Sequence, residues 1–169
     1  LGAGLHLKGH RVLLVDLDPQ GNITYTTGVN TTEGTAYELL TGKATTAEAI
    51  QQTDLGDIIP AGRGLTRLDI ELTSTGKEYR LKEALDPLRK EYDYIVIDTP
   101  PALGLLTINA LTASDTVIIP AQADIYNLQG IGQLYETIET VKKYCNPALR
   151  LRGILLTRHN TRTVLSRDI

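Results

Sequence analysis

The sequence predicts a mostly parallel α/β sheet with helices on both faces, and three observations carry that prediction. Aliphatic runs at Arg11–Asp16, Tyr94–Asp98, Thr116–Pro120 and Leu151–Leu156 lack polar alternation, as strands buried on both faces require. Between them lie segments with apolar residues at helical spacing, an order that implies right-handed crossovers. Two of the runs end in aspartate just before a proline-bearing turn. That places carboxylates at the C-terminal edge of the sheet, where open α/β folds bind ligands.

Each element follows from its local pattern. Leu1–Lys8 reads as a short helix closed by Gly9, and Arg11–Asp16 as the first strand. Thr35–Leu40 and Thr46–Gln51 carry short helical patterns behind Thr or Gly residues suited to cap them. Asp57–Pro60 is a short strand stopped by proline, and Gly64–Leu72 has no clear type. Over Arg80–Tyr92, Leu81, Leu85 and Leu88 fall at i, i+4 and i+7, with Pro87 set to kink or divide the helix. Leu103–Ala113 is helical, Thr116–Pro120 a strand, and Leu128–Tyr144 a long helix with Leu128, Ile131, Leu134, Ile138 and Val141 on one stripe. Leu151–Leu156 is the last strand. No repeat or low-complexity linker interrupts the chain, so residues 1–169 are expected to form a single domain.

Phe, Trp and Met are absent, so a chain that is 41% hydrophobic must build its core from Leu, Ile, Val and Ala. Cys145 stands alone, which excludes an internal disulfide and points to a reducing compartment. No apolar run approaches the roughly 20 residues that span a bilayer. The net charge of -3 is unevenly spread. From Lys142 onward, Lys142, Lys143, Arg150, Arg152, Arg158, Arg162 and Arg167 are opposed only by Asp168, while the preceding residues are acidic. Such a tract suits a phosphate-binding face, and equally an ordinary solvated surface.

The motifs "RVLLVDLDPQGN", "YDYIVIDTPPALGLLTINALTASDTVIIPAQ" and "GILLTRHNTRTVLSR" resemble the ParA/Soj partition ATPases, relatives of MinD, over nearly the whole chain. The resemblance implies a P-loop NTPase fold, ATP and Mg2+ as nucleotide and metal, and ATP hydrolysis. It also implies an ATP-dependent homodimer, nonspecific DNA and a ParB-like centromere-binding protein as partners, and a place at the nucleoid in a bacterial cytoplasm. A MinD-like membrane regulator is the alternative, and it would need an amphipathic helix at its extreme C-terminus.

Asp18 resembles the second aspartate of the family's DxDPQGN pattern, implicated in positioning the water that attacks the γ-phosphate. Its plainer role is to tighten the Pro19-Gln20-Gly21 turn. Asp16, the first aspartate, is implied as an indirect partner of Mg2+ or of a P-loop hydroxyl, or is simply a buried acid satisfied by backbone amides. Asp98 resembles the Walker B acid that holds Mg2+, with Thr99–Gly104 as a switch loop. Asn22 belongs either to a first switch or to the turn. Thr157 and Arg158 stand where the family holds adenine, with Pro120 and Gln122 bordering the pocket. Arg162 matches the arginine of the family's "ART" stretch, implicated in DNA binding, and Arg158 and Arg167 share its basic tract. Capping a helix carbonyl end is the alternative for Arg162. Arg158-His159 departs from the Met-Tyr or Met-Leu usual in the family.

The family's glycine- and lysine-rich P-loop is not found in the sequence. The first strand, the P-loop and the C-terminal helices are therefore expected to lie outside residues 1–169. Residues 1–169 alone are then expected to bind little nucleotide and to be inactive.

Overall fold

The structure, a computed structural model, describes residues 1–122 and 125–157. It divides into two compact units, Leu1–Ala113 and Ser114 onward. The first runs α1 (Gly2–His6), β1 (Val12–Asp16), α2 (Asn22–Thr27), α3 (Ala36–Thr41), α4 (Thr46–Ala49), β2 (Asp57–Ile59), α5 (Leu68–Glu71), α6 (Arg80–Leu85), β3 (Tyr94–Asp98) and α7 (Leu105–Ala113). Its three strands form a parallel sheet in the order β2-β1-β3.

The central strand, β1, is buried along its whole length, which is why it carries no polar residue before Asp16. Leu13 and Val15 point into one layer with Leu40 of α3, Leu81 and Leu85 of α6 and Leu106 of α7. Val12 and Leu14 point the other way, with Ile58 of β2, Leu5 of α1 and Ile23 of α2. Helices thus cover both faces, as the unbroken aliphatic runs predicted.

The threonines mark helix starts as expected. Glu48 N–H donates to Thr45 Oγ1 (3.3 Å) while the Glu48 carboxylate accepts from Thr45 N–H (2.7 Å), a capping box at α4. Thr35 and Glu38 repeat it at α3. The helix expected over 80–92 is divided: α6 stops at Leu85, and Asp86–Lys90 is a 3-10 turn with Pro87 in its first positions. Proline has no N–H to continue the helical ladder. The ambiguous stretch after Gly62 is a 3-10 turn, Arg63–Arg67, leading into α5. Unforeseen in the sequence was α2, which starts at Asn22 behind Gly21 in the left-handed region (φ 62°).

In the second unit, β4 (Thr116–Gln122), α8 (Ile125–Tyr144) and β5 (Arg150–Thr157) form a parallel β-α-β. The stripe read from the sequence buries Ile138 and Val141, alongside Ile119, Ala121 and Leu149. β4 runs through Pro120 instead of stopping there. Among the described strands it pairs only with β5, and a proline is tolerated on a strand whose other edge needs no ladder hydrogen bond. Among the described residues, no helix is long and apolar enough to cross a membrane.

Candidate functional site

β1 and β3 lie in register from Val12 opposite Tyr94 to Asp16 opposite Asp98, so both strands end in an acid at the same level. Leu17 N–H donates to the Asp98 carbonyl (3.0 Å), carrying the pairing one residue further. Asp18 follows immediately. The sequence expectation that Asp16, Asp18 and Asp98 share the carboxyl edge of the sheet is what the geometry shows.

Their surroundings differ. Asp16 is 0% exposed, and both its oxygens accept from protein donors. Oδ1 takes Asp18 N–H (3.1 Å), and Oδ2 takes Thr24 N–H (2.9 Å) and Thr24 Oγ1–H (2.7 Å). Thr24 Oγ1 in turn accepts from Ala61 N–H (2.8 Å), beyond β2. Asp16 thereby folds the 17–24 turn back onto its own strand and satisfies a first-turn amide of α2, the duty a capping side chain usually performs. Thr24 was not singled out in the sequence. Its only local signal is a hydroxyl residue just inside an unannounced helix.

Asp18 is partly exposed. Its Oδ1 accepts from Gln20 N–H (3.0 Å) and its carbonyl from Gly21 N–H (2.8 Å), so it does tighten the turn. Oδ2 has no hydrogen-bond partner among the described residues. Asn22 is the exposed first residue of α2.

Asp98 is half-buried, and its carboxyl is pushed above the usual carboxylate range, first by burial and then by the negative charges of Asp16 and Asp18. The Thr99 backbone N–H works in the opposite direction. Crowded negative charge of this kind is relieved by a cation. Among the described residues, no group of three or more His, Cys, Asp or Glu is arranged to hold a metal unaided. Mg2+ keeps several waters and takes one or two carboxylates together with phosphate oxygens. A half-buried carboxylate crowded by like charge fits a hydrated Mg2+.

The Thr99–Gly104 loop is tied to α7, because Thr107 Oγ1 donates to the Ala102 carbonyl (2.7 Å). A cavity of about 350 Å³ opens between this loop and the Asp18 turn. In the second unit, Gln122 lies opposite Thr157 and Pro120 opposite Leu155, and Thr157 Oγ1 donates to the Ala121 carbonyl (3.2 Å). Arg158, Arg162 and Arg167 lie outside the described residues.

A parallel sheet with these acids at its carboxyl edge has the fold of the P-loop NTPases of the ParA and MinD type. A family model described as "AAA domain" matches residues 1–151. The chain is 48% identical to the sporulation initiation inhibitor protein Soj of Bacillus subtilis, aligning 98% of its residues with 67% of that protein. It is 44% identical to the chromosome partitioning protein ParA of Myxococcus xanthus, all of it matching 62% of the relative. Among solved structures, cobyrinic acid a,c-diamide synthase from Mycobacterium smegmatis with bound ATP analog and magnesium superposes with a TM-score of 0.92 at 42% identity, over 99% of this chain and 70% of that one. A plasmid partition protein from Borrelia burgdorferi gives 0.86 at 30% identity, over 98% and 73%. The chain belongs to the ParA/Soj family of partitioning ATPases, and it spans about two thirds of the length of the relatives it matches.

Proposed function

We propose that this chain is the hydrolytic part of an ATP-dependent DNA-partitioning switch. The observation that supports the reading is the register match of Asp16 with Asp98, which ends both strands at one level and brings Asp18, the next acid on β1's turn, to the same sheet edge as Asp98. ATP is the substrate and Mg2+ the metal. Asp98 would hold Mg2+, which when bound would supply positive charge to offset that of the phosphates. Asp18 Oδ2 orients the water in line with the γ-phosphate. Phosphoryl transfer has a loose transition state, so orientation rather than strong general base catalysis is the demand on Asp18. Asp16 and Thr24 keep the Asp18 turn fixed. The family resemblance assigns Thr157, Gln122, Pro120 and Arg158 to binding the base.

In the full-length protein, ATP joins two subunits and the dimer binds DNA without sequence preference. The basic tract supports this step: Arg150 and Arg152 are exposed on β5, and Arg158, Arg162 and Arg167 follow in the sequence. A ParB-like partner stimulates hydrolysis and resets the cycle at the nucleoid, in the cytoplasm.

The test is DNA binding by the full-length protein on unrelated duplexes at two salt concentrations, with ATP, with ADP and without nucleotide, beside Arg162→Ala. ATP-dependent, salt-sensitive binding that the variant loses supports the reading. Hydrolysis without DNA binding under any condition overturns it in favour of a MinD-like membrane regulator. A product other than ADP and phosphate would make the protein a synthetase instead.

A further inference from the structure

The segment between β2 and α6 touches both loops of the acidic edge. At its start, Ala61 N–H donates to the Thr24 hydroxyl that holds Asp16 (2.8 Å). Further along, Asp69 on α5 accepts at Oδ1 from Leu105 N–H (3.0 Å), the first amide of α7 and the residue directly after the Thr99–Gly104 loop. Between these two contacts Leu65 and Leu68 are 2% and 1% exposed and share a core cluster with Val15 and Leu106, so the segment is a fixed strut.

The Asp69 contact is not ordinary helix capping. A helix start is usually capped by a residue one to three positions before it, whereas Asp69 lies 36 residues before Leu105. The neighbouring cation, Arg67, pairs with Glu71 (3.3 Å). The loop is shaped to receive the acid, because a Cβ on Gly104 would stand 3.1 Å from Asp69 Oδ2. With Thr107 closing the loop from the α7 side, the 99–104 segment is held at its far end by two side chains from different elements. The cavity bounded by Asp18, Leu65, Asp69, Pro101, Gly104 and Leu106 is the space whose width this strut sets.

We infer that Asp69 is a positioning residue for hydrolysis, holding the Thr99–Gly104 loop at the distance from Asp18 that the reaction needs; the inference rests on the ATPase reading above. Asp69 touches no reacting atom and works through the Leu105 amide. Asn at this position keeps an acceptor for that amide and Ala does not, so the two variants separate the hydrogen bond from mere occupancy.

The experiment compares the full-length wild type with Asp69→Ala and Asp69→Asn by steady-state ATP hydrolysis and by amide hydrogen exchange. Asp69→Ala is expected to lower kcat about tenfold with KM for ATP within about twofold, and to speed exchange of the Leu105 amide about tenfold while β1 amides stay unchanged. Asp69→Asn is expected to restore kcat to within about threefold of wild type. An unaltered kcat in Asp69→Ala, a loss that Asn does not rescue, or faster exchange spread evenly through the domain each overturns the assignment. A wild type that binds ATP but does not hydrolyse it sinks the ATPase reading, and any catalytic role for Asp69 with it. The exchange data then show separately whether Asp69 holds the loop.

Discussion

The same two strands, β1 and β3, are finished differently at their two ends. At the amino end, Arg11 and Asp93 have opposite charges and use them fully: Arg11 Nη2–H and its backbone N–H both donate to the Asp93 carboxylate (2.7 and 2.9 Å). At the carboxyl end, Asp16, Asp18 and Asp98 carry like charge, and the pressure on Asp98 comes from burial and from the other two. One end of the pair is built to be satisfied. The other is left short of positive charge. Within that second end the contrast repeats, since Asp16 has every oxygen engaged and Asp98 does not.

The carboxyl end is most sensitive at Asp98. Asp98→Asn in the full-length protein is expected to cut Mg2+-dependent ATP hydrolysis about a hundredfold or more while folding normally, as steady-state kinetics beside circular dichroism would show. Equal activity in the variant would mean that the crowded acid is not the metal's. Asp16→Asn should do the reverse and act first on stability. An amide in place of the buried carboxylate loses charge-assisted bonds to Thr24 and Asp18, so urea unfolding should register a cost of about 2–3 kcal/mol. Thr24→Val removes the donor to Asp16 and the acceptor for Ala61 together, and a similar cost of about 2 kcal/mol is expected in the same assay.

The pH dependence sharpens the contrast further. Because the Asp98 pKa is raised on folding, the stability linked to its protonated form is present at low pH and lost as pH rises through the raised value. Asp98→Asn should therefore be more stable than wild type at neutral pH, with the advantage fading below the ordinary carboxylate range. Asp93 is shifted the other way, to about 2, first by its hydrogen bonds from Arg11. Its contribution is present above the unfolded value of about 3.9 and is lost as pH falls toward about 2. Asp93→Asn should flatten that acid limb and change little else, because the pair lies at the surface.

Much of this was legible in the sequence because the signals are local. Aliphatic runs with no polar break are hard to place except in a covered parallel sheet, and an aspartate at the end of such a run can only emerge at the sheet edge. Short helical patterns behind Thr or Gly punctuation announced α3 and α4, and Pro87 announced the division of its helix. α2 was missed because Asn22–Thr27 is rich in β-branched residues, weak helix formers, and its first-turn amide is satisfied by Asp16. Asp69 was missed for the same reason at longer range, since its partner lies beyond an intervening helix and strand. Pro120 misled in the other direction: a proline that would break a central strand passes unpunished in one that uses only one edge among the described strands.

The register shift in the second unit has a consequence of its own. Val117 lies opposite Leu151 but Ile118 lies opposite Gly153, so Arg152 is an extra residue on β5, and Gly153 takes up the irregularity at φ 148°. Side chains alternate along a strand, and one uncounted residue reverses the parity of everything after it. Thr157 therefore comes level with Gln122 and stands on the same side of the ribbon. Without the bulge the ladder would continue from Val117–Leu151 to bring Leu156, not Thr157, level with Gln122, so the pairing of two base-pocket candidates depends on the irregularity at Arg152.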